Sequence, residues 1–406
     1  ELTFEGIKRD IPSVSKRWRE DVEFGRQRMN GINPMMIKKY KKMDAFPVTD
    51  EMLAGLLPDG ETIDSLMQKN KLFFVDYHHF STMKPPAENH YVVPFALFLS
   101  KGSDLLPIAI QLGQDPKEFP VFTPKVDKGL WQLCKWFVCS ADAAIHECVI
   151  HLLSTHFIME TFYVAAMRSM APTHPLMQLL KAHFWFTIAI DHSARSSLII
   201  PEGQLPSLFS MGYEGMVDMV GHFTKEFDFD HYVVPKDLER RGVDGMPGNH
   251  YAADAKDLWF IIETYVTSMV NDIYESDEDV AGDVELANCF KDIKSRTTWK
   301  NMPTAEDGTL KTRNDLIRMV TIIINTVSGR HAADNNGQFD LLGFIPNCPP
   351  KMHCAVPKNL ETVWSDAELA AILPPYDDAV TQISFFHAVS FPCDDANRLG
   401  NYKPSF

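Results

Sequence analysis

Basic residues are the minority charge. Against 54 Asp and Glu stand 39 Lys and Arg, a formal charge of −15 over 406 residues. A surface that neutralises phosphates needs the opposite balance, so nucleic-acid binding is not expected. Cysteine is thin, with seven residues and no CxxC pair. Cys134, Cys139, Cys148, Cys289, Cys348, Cys354 and Cys393 are odd in number and several lie inside apolar runs. That predicts reduced, mostly buried thiols in a cytoplasmic setting rather than a disulfide framework. No stretch approaches the ~20 apolar residues of a membrane span, since the runs at 184–190 and 319–324 are short. No fixed-period repeat or low-complexity tract is present, and a hydrophobic fraction of 45% is too high for disorder. An initiator Met and a signal peptide are also missing, so the sequence reads as a piece of a longer product.

The first ~130 residues mix short helices and loops, on a domain scale of ~150 residues. Residues 15–29 read as an amphipathic helix closed by Gly31 and Pro34. Residues 71–77 and 91–99, rich in β-branched and aromatic side chains, read as strands. A turn at Lys84-Pro85-Pro86 between them predicts a small antiparallel sheet. From Leu130 onward, stretches 130–171, 176–200, 252–277 and 314–329 run without Pro or Gly until Gly329. They are apolar enough all round to be core helices. Segments 201–215, 234–249 and 342–357 carry Pro and Gly and read as connections. The expected fold is mainly α, one large helical domain over 1–406 with a small antiparallel β subdomain.

His146, His151 and His156 recur at a spacing of five. A zinc-protease helix needs His-Glu-x-x-His, with ligands at i and i+4, and His146 to His151 is one residue too long. On a regular α-helix five residues turn roughly 500°, which leaves the side chains about 140° apart. A π-type turn would bring them to one face, and such turns concentrate at functional sites. A metal-binding pair at this spacing therefore predicts a locally widened helix. The competing reading is a set of hydrogen-bonded core histidines. Further on, His331 and Asn335 stand at i, i+4, which a plain α-helix presents to one point. Imidazole and amide oxygen suit iron or manganese, while the alternative role for Asn335 is to cap the helix near Gly337. Paired Glu-x-x-His motifs of carboxylate-bridged di-iron bundles are missing.

The stretch His151-Leu-Leu-Ser-Thr-His156, continuing Phe157-Ile-Met-Glu160, resembles the first iron-binding helix of lipoxygenases. Other landmarks follow in that family's order: His174-Pro175, Ala182-His183-Phe-Trp-Phe-Thr-Ile-Ala-Ile190, Ala194-Arg195-Ser-Ser-Leu198-Ile199 and His331-Ala-Ala-Asp-Asn335-Asn-Gly337-Gln338. Upstream, Phe24-Gly25-Arg26-Gln27, Gly31-Ile-Asn33-Pro34 and Pro107-Ile-Ala-Ile-Gln-Leu112 also match. The resemblance covers nearly the whole chain. It implies a non-haem iron dioxygenase that takes a bis-allylic hydrogen from a polyunsaturated fatty acid and inserts O2, giving a conjugated hydroperoxide. The metal-bound hydroxide would be the base, with no further catalytic side chain. His151, His156 and His331 match the histidine ligands and Asn335 the weaker, variable one, with manganese an alternative to iron. His146 matches no ligand and is expected to be a core or neighbouring histidine.

The resemblance also implies a substrate channel. Leu198 matches the leucine that presses the pentadiene toward the metal, Leu205 a cavity-lining aliphatic, and Leu208 and Phe209 positions that set pocket depth. The plain alternative is that all four are core residues. Ala194 stands where the family carries Ala or Gly, with Ala tending toward S hydroperoxides. Arg26 and Arg28, on the first helix, are candidates to hold the substrate carboxylate, against a solvated-face reading. The run Lys38-Lys39-Tyr40-Lys41-Lys42 reads as a solvated face with room for peripheral contact to anionic lipid. Two features depart from the family. Arg398-Leu-Gly-Asn-Tyr402 resembles a segment some tens of residues before the family's carboxy-terminal ligand, so Phe406 is not expected to be that ligand. No lipid-binding β-sandwich precedes the helical part, which fits the compact kind found in some bacteria, with an upstream fusion conceivable. An incomplete ligand set motivates an alternative, a fatty-acid-binding relative without full iron ligation.

Overall fold

Apolar residues in the amino-terminal third come in unbroken runs because the sheet they form is covered on both faces. A computed structural model describes residues 2–4, 7–79, 83 and 91–390. The Lys84-Pro85-Pro86 turn, Cys393 and the 398–402 segment lie outside these residues. Strands β1 (Leu2–Phe4) and β2 (Ile7–Arg9) form a hairpin. Strands β3 (Lys38–Lys39), β4 (Leu72–Asp76), β5 (Phe95–Lys101), β6 (Asp104–Gln111) and β7 (Val121–Phe122) form a five-stranded antiparallel sheet in chain order. Phe73, Val75, Ala96, Phe98 and Ile110 join the main helical core. Leu72, Phe74, Leu97 and Leu99 point the other way, into a second cluster with Tyr40, Phe46 and Leu66.

Both expected strands are present as β4 and β5, paired Leu72↔Leu99 through Asp76↔Phe95. Strand β6, which includes Pro107, goes beyond the two expected strands. The ladder accommodates the proline at an irregularity, where the register passes from Leu97↔Ala109 to Phe98↔Pro107. A bulge is where a residue without an N–H costs the sheet least.

The helix expected over 15–29 is split into a 3-10 turn, Ser13–Lys16, and an α-helix, Asp21–Asn30. The α-helix starts where Asp21 and Glu23 place negative charge on its amino end. It lies so close to β6 that a Cβ on Gly25 would come within 1.6 Å of the Leu105 carbonyl oxygen. Gly25→Ala must push helix and sheet apart, and we expect a loss of about 3 kcal/mol, the upper end for overpacking, read by urea denaturation. Arg28, one turn on, reaches the central helix. Its guanidinium lies 2.6 Å from Asp142, whose carboxylate also accepts from the Tyr77 hydroxyl at 2.6 Å and from the Asn33 amide at 2.8 Å.

The central helix runs Lys128–Ser169. Asp127 caps it, accepting from the backbone of Gly129 and Leu130. Among the described residues it is the one helix long and apolar enough to cross a membrane, contrary to the expectation that none is. Its first part, Lys128–Ile145, is buried at every position after Lys128, which is the pattern of a core helix. Of the expected connections, 201–215 contains a short helix, Gln204–Leu208, and the start of Gly212–Glu226. Segment 234–249 contains the helix Val234–Arg241. Pro235 sits there in the first turn, where its missing N–H costs nothing, and Gly242 closes the helix in the left-handed region. Helices His250–Ile273 and Arg313–Asn325 stand where expected, although the first exposes Leu258, Phe260 and Ile261 and so buries only one side. The single core helix expected over 176–200 is instead broken into Pro175–His183, Thr187–Ser193 and the turn Ala194–Leu198, with Phe186 in the left-handed region at the first break. The six described cysteines are unpaired, and five are buried.

Candidate metal centre

Halfway along the central helix, His146–Phe157 is π-helical, and α-helix resumes at Ile158–Ser169. The widened turn is supported locally: Ser154 donates its hydroxyl to the Val149 carbonyl five residues back, at 2.7 Å, and receives the Tyr232 hydroxyl at 2.6 Å. A second π turn, Thr326–Arg330, directly precedes His331. A third, Ala194–Leu198, follows the short helix Thr187–Ser193.

These turns bring three imidazoles together. Nε2 of His156 lies 3.3 Å from Nε2 of His151 and 3.0 Å from Nε2 of His331. One ligand atom from each of the three falls within 4.8 Å of the others. Two nitrogens about 2.1 Å from one ion stand about 3.0 Å apart at a right angle and about 3.4 Å apart at a tetrahedral angle. The observed separations fit a single metal ion held on one side.

Carboxylates hold the far nitrogens. Nδ1 of His151 lies 3.2 Å from Glu147, one turn back, and Nδ1 of His156 lies 2.8 Å from Asp191. An Nδ1–H given to a carboxylate leaves the Nε2 lone pair for the ion. Burial, then the neighbouring His156, holds His151 well below its ordinary pKa and so keeps it neutral. Burial pushes Glu147 up to about 7. Sequence reasoning missed both acids. The i, i+4 step from Glu147 to His151 was a usable signal, while nothing local marks Asp191.

Asn335 is buried one turn beyond His331, and its carboxamide oxygen accepts from Gln338 at 3.1 Å. It therefore does not cap the helix. His146 stays outside the cluster and donates Nε2–H to the Asp334 carbonyl at 2.8 Å, tying the two histidine-bearing helices together. Ala194, Leu205, Leu208 and Phe209 are buried in the main core, and Leu198 is packed against it half-buried. A cavity of about 140 Å³ beside the π-helical segment is lined by Leu153, Ser154, Tyr232 and Arg330, among others, and by none of those five. Both sequence-based anchors for a substrate carboxylate already have acidic partners within the protein. Arg26 places its guanidinium on Glu23, at 2.9 and 2.5 Å, because that buried acid needs cations around it. Arg28 is buried against Asp142. The lysine run is not one solvated face either: Tyr40 is buried, Lys38 lies over the Phe74 ring, and Lys42 pairs with Asp64.

A mainly helical fold with three histidines on π-helical turns, compatible with one metal ion, marks out a class of protein that comparison identifies. The lipoxygenase family model matches residues 5–403, and the chain belongs to that family. It is 33% identical over 395 residues to the human polyunsaturated fatty acid lipoxygenase ALOX15B, covering 95% of this chain and 58% of that protein. It is 30% identical over 396 residues to the human hydroperoxide isomerase ALOXE3, covering 96% and 56%. A solved calcium-dependent 11R-lipoxygenase superposes with a TM-score of 0.91 at 31% identity, over 97% of this chain and 59% of that one. The chain thus spans less than two thirds of these relatives.

Proposed function

We propose that this chain carries the metal centre of a fatty-acid dioxygenase, which removes a bis-allylic hydrogen from a polyunsaturated fatty acid and inserts O2 to give a conjugated hydroperoxide. The convergence of His151, His156 and His331 Nε2 within 4.8 Å supports this reading most directly. The three imidazoles would hold iron, with Asn335 as a weaker fourth ligand, and manganese fits the same donors. Iron at this place supplies the one-electron oxidation that turns a bis-allylic C–H into a pentadienyl radical and a proton. Glu147 and Asp191 keep the Nε2 lone pairs aimed at one point. Ala194 stands three residues after Asp191 and is buried like it, and Leu198, at the end of the π turn that follows, packs against the same core. That supports placing the pentadiene against Leu198 beside the metal, with Leu205, Leu208 and Phe209 as apolar walls that exclude water. Six unpaired cysteines support a reducing, cytoplasmic setting.

The test is metal analysis of the full-length protein together with diene absorbance and oxygen uptake on adding linoleate. We expect about one iron per chain and a conjugated product. Stoichiometric iron without oxygen uptake would favour the fatty-acid-binding alternative, and consumption of added hydroperoxide alone would favour an isomerase. Ala194→Gly should move the position or the chirality of oxygenation, read by chiral chromatography of the product. An unchanged hydroperoxide removes Ala194 from that role.

A further inference from the structure

Asp191 lies on neither helix that carries a histidine of the cluster, yet its Oδ1 is 2.8 Å from Nδ1 of His156. The residue is fully buried, and its Oδ2 has no hydrogen-bond partner among the described residues. Burying a carboxylate with one oxygen unsatisfied is costly. A bond serving only to tie Thr187–Ser193 to the central helix needs no charge, since an amide or hydroxyl oxygen of similar reach accepts the same N–H. What the carboxylate adds is negative charge passed through the ring to the far nitrogen, which makes Nε2 a stronger donor and fixes its tautomer. Nearby, Arg195 is engaged elsewhere: its guanidinium grips Glu160 at 2.8 and 2.6 Å, so no fixed arginine charge is bonded to Asp191 in its place.

We propose that Asp191 is a positioning residue that aims His156 and raises its donor strength, so that metal affinity and metal redox potential at the three-histidine centre depend on its charge. The inference rests on the metal-centre reading above. Through Asp191 the charge on one ligand also belongs to the segment that continues into Ala194–Leu198. A shift of that segment would therefore alter the ligand as well as the apolar wall.

The decisive variant is Asp191→Asn, which keeps the shape and one acceptor oxygen but removes the charge, with Asp191→Glu as the charge-restoring control. Co(II) affinity is measured by chelator competition, the iron midpoint potential by redox titration, and thermal melting on the metal-free protein. Asp191→Asn should weaken Co(II) binding about 10–100-fold and shift the iron potential to more positive values, with Asp191→Glu recovering part of both. A lower melting temperature with unchanged Co(II) affinity and potential would show a merely structural tie and overturn the proposal. Should Asp191→Asn fail to fold, 15N NMR of metal-free wild-type protein decides: His156 must carry its proton on Nδ1, and a proton on Nε2 overturns the assignment. Wild-type protein that takes up no Co(II) overturns the metal-centre reading as well. Normal uptake with an indifferent Asp191→Asn overturns only the role of Asp191.

Discussion

His331→Ala should abolish metal retention and, with it, the proposed turnover, by more than the about 10–100-fold loss that follows removal of a partner behind a ligand. His331 is the one imidazole of the cluster that comes from outside the central helix, and its Nε2 closes the triangle at 3.0 Å from His156. Without it, two nitrogens on one helix and at most the weak Asn335 oxygen remain, too few to fix an ion against water. His156→Ala behaves in the same way and also leaves Asp191 buried with no imidazole to accept from. Metal content after gel filtration, measured beside a melting curve, separates loss of the ion from loss of the fold. Full iron content in either variant would refute the ligand set.

The second large effect is one of stability. Asp142→Ala leaves the Arg28 guanidinium uncompensated inside the protein, where a broken buried pair costs about 3–5 kcal/mol. Burial works hardest against the Arg28 charge, but Asp142, with Cys139, Tyr77 and Cys348 adding to it, outweighs burial and holds the guanidinium above its ordinary pKa. The same substitution strips acceptors from Tyr77 and Asn33. Replacing Arg28 and Asp142 together with apolar residues of similar volume should cost much less than Asp142→Ala alone. Urea denaturation of the single and double variants reads the difference. A single variant within about 1 kcal/mol of wild type would show the pair to be dispensable. Asp142 is one turn before His146, so loosening this pair should also disturb the entrance to the π-helical segment.

Much of the centre was legible because chain spacing dictates helix geometry. A five-residue step between His151 and His156 cannot serve one ion on an α-helix, and the π-helical segment is the geometry that step requires. The i, i+4 step from His331 to Asn335 likewise needs only an ordinary turn. Contacts set by folding were not legible. Asp142 is 114 residues from Arg28, and Asp191 is 35 from His156, so no local pattern announces either pair. Arg26 and Arg28 looked available for a substrate because their partners, Glu23 and Asp142, show themselves as partners only once burial is known. Pro235 misled in the same way: the proline made 234–249 read as a connection, yet a first helical turn absorbs its missing donor.

The π-helical stretch makes the number of residues, as much as their identity, a condition of function. Inserting one position between His151 and His156 would set them six residues apart, a step that leaves the two side chains about 120° from one another on ordinary winding. Side-chain exchanges at Leu152 or Leu153 leave the spacing intact. Insertions and deletions do not, so this portion of the gene should tolerate changes of letter far better than changes of length.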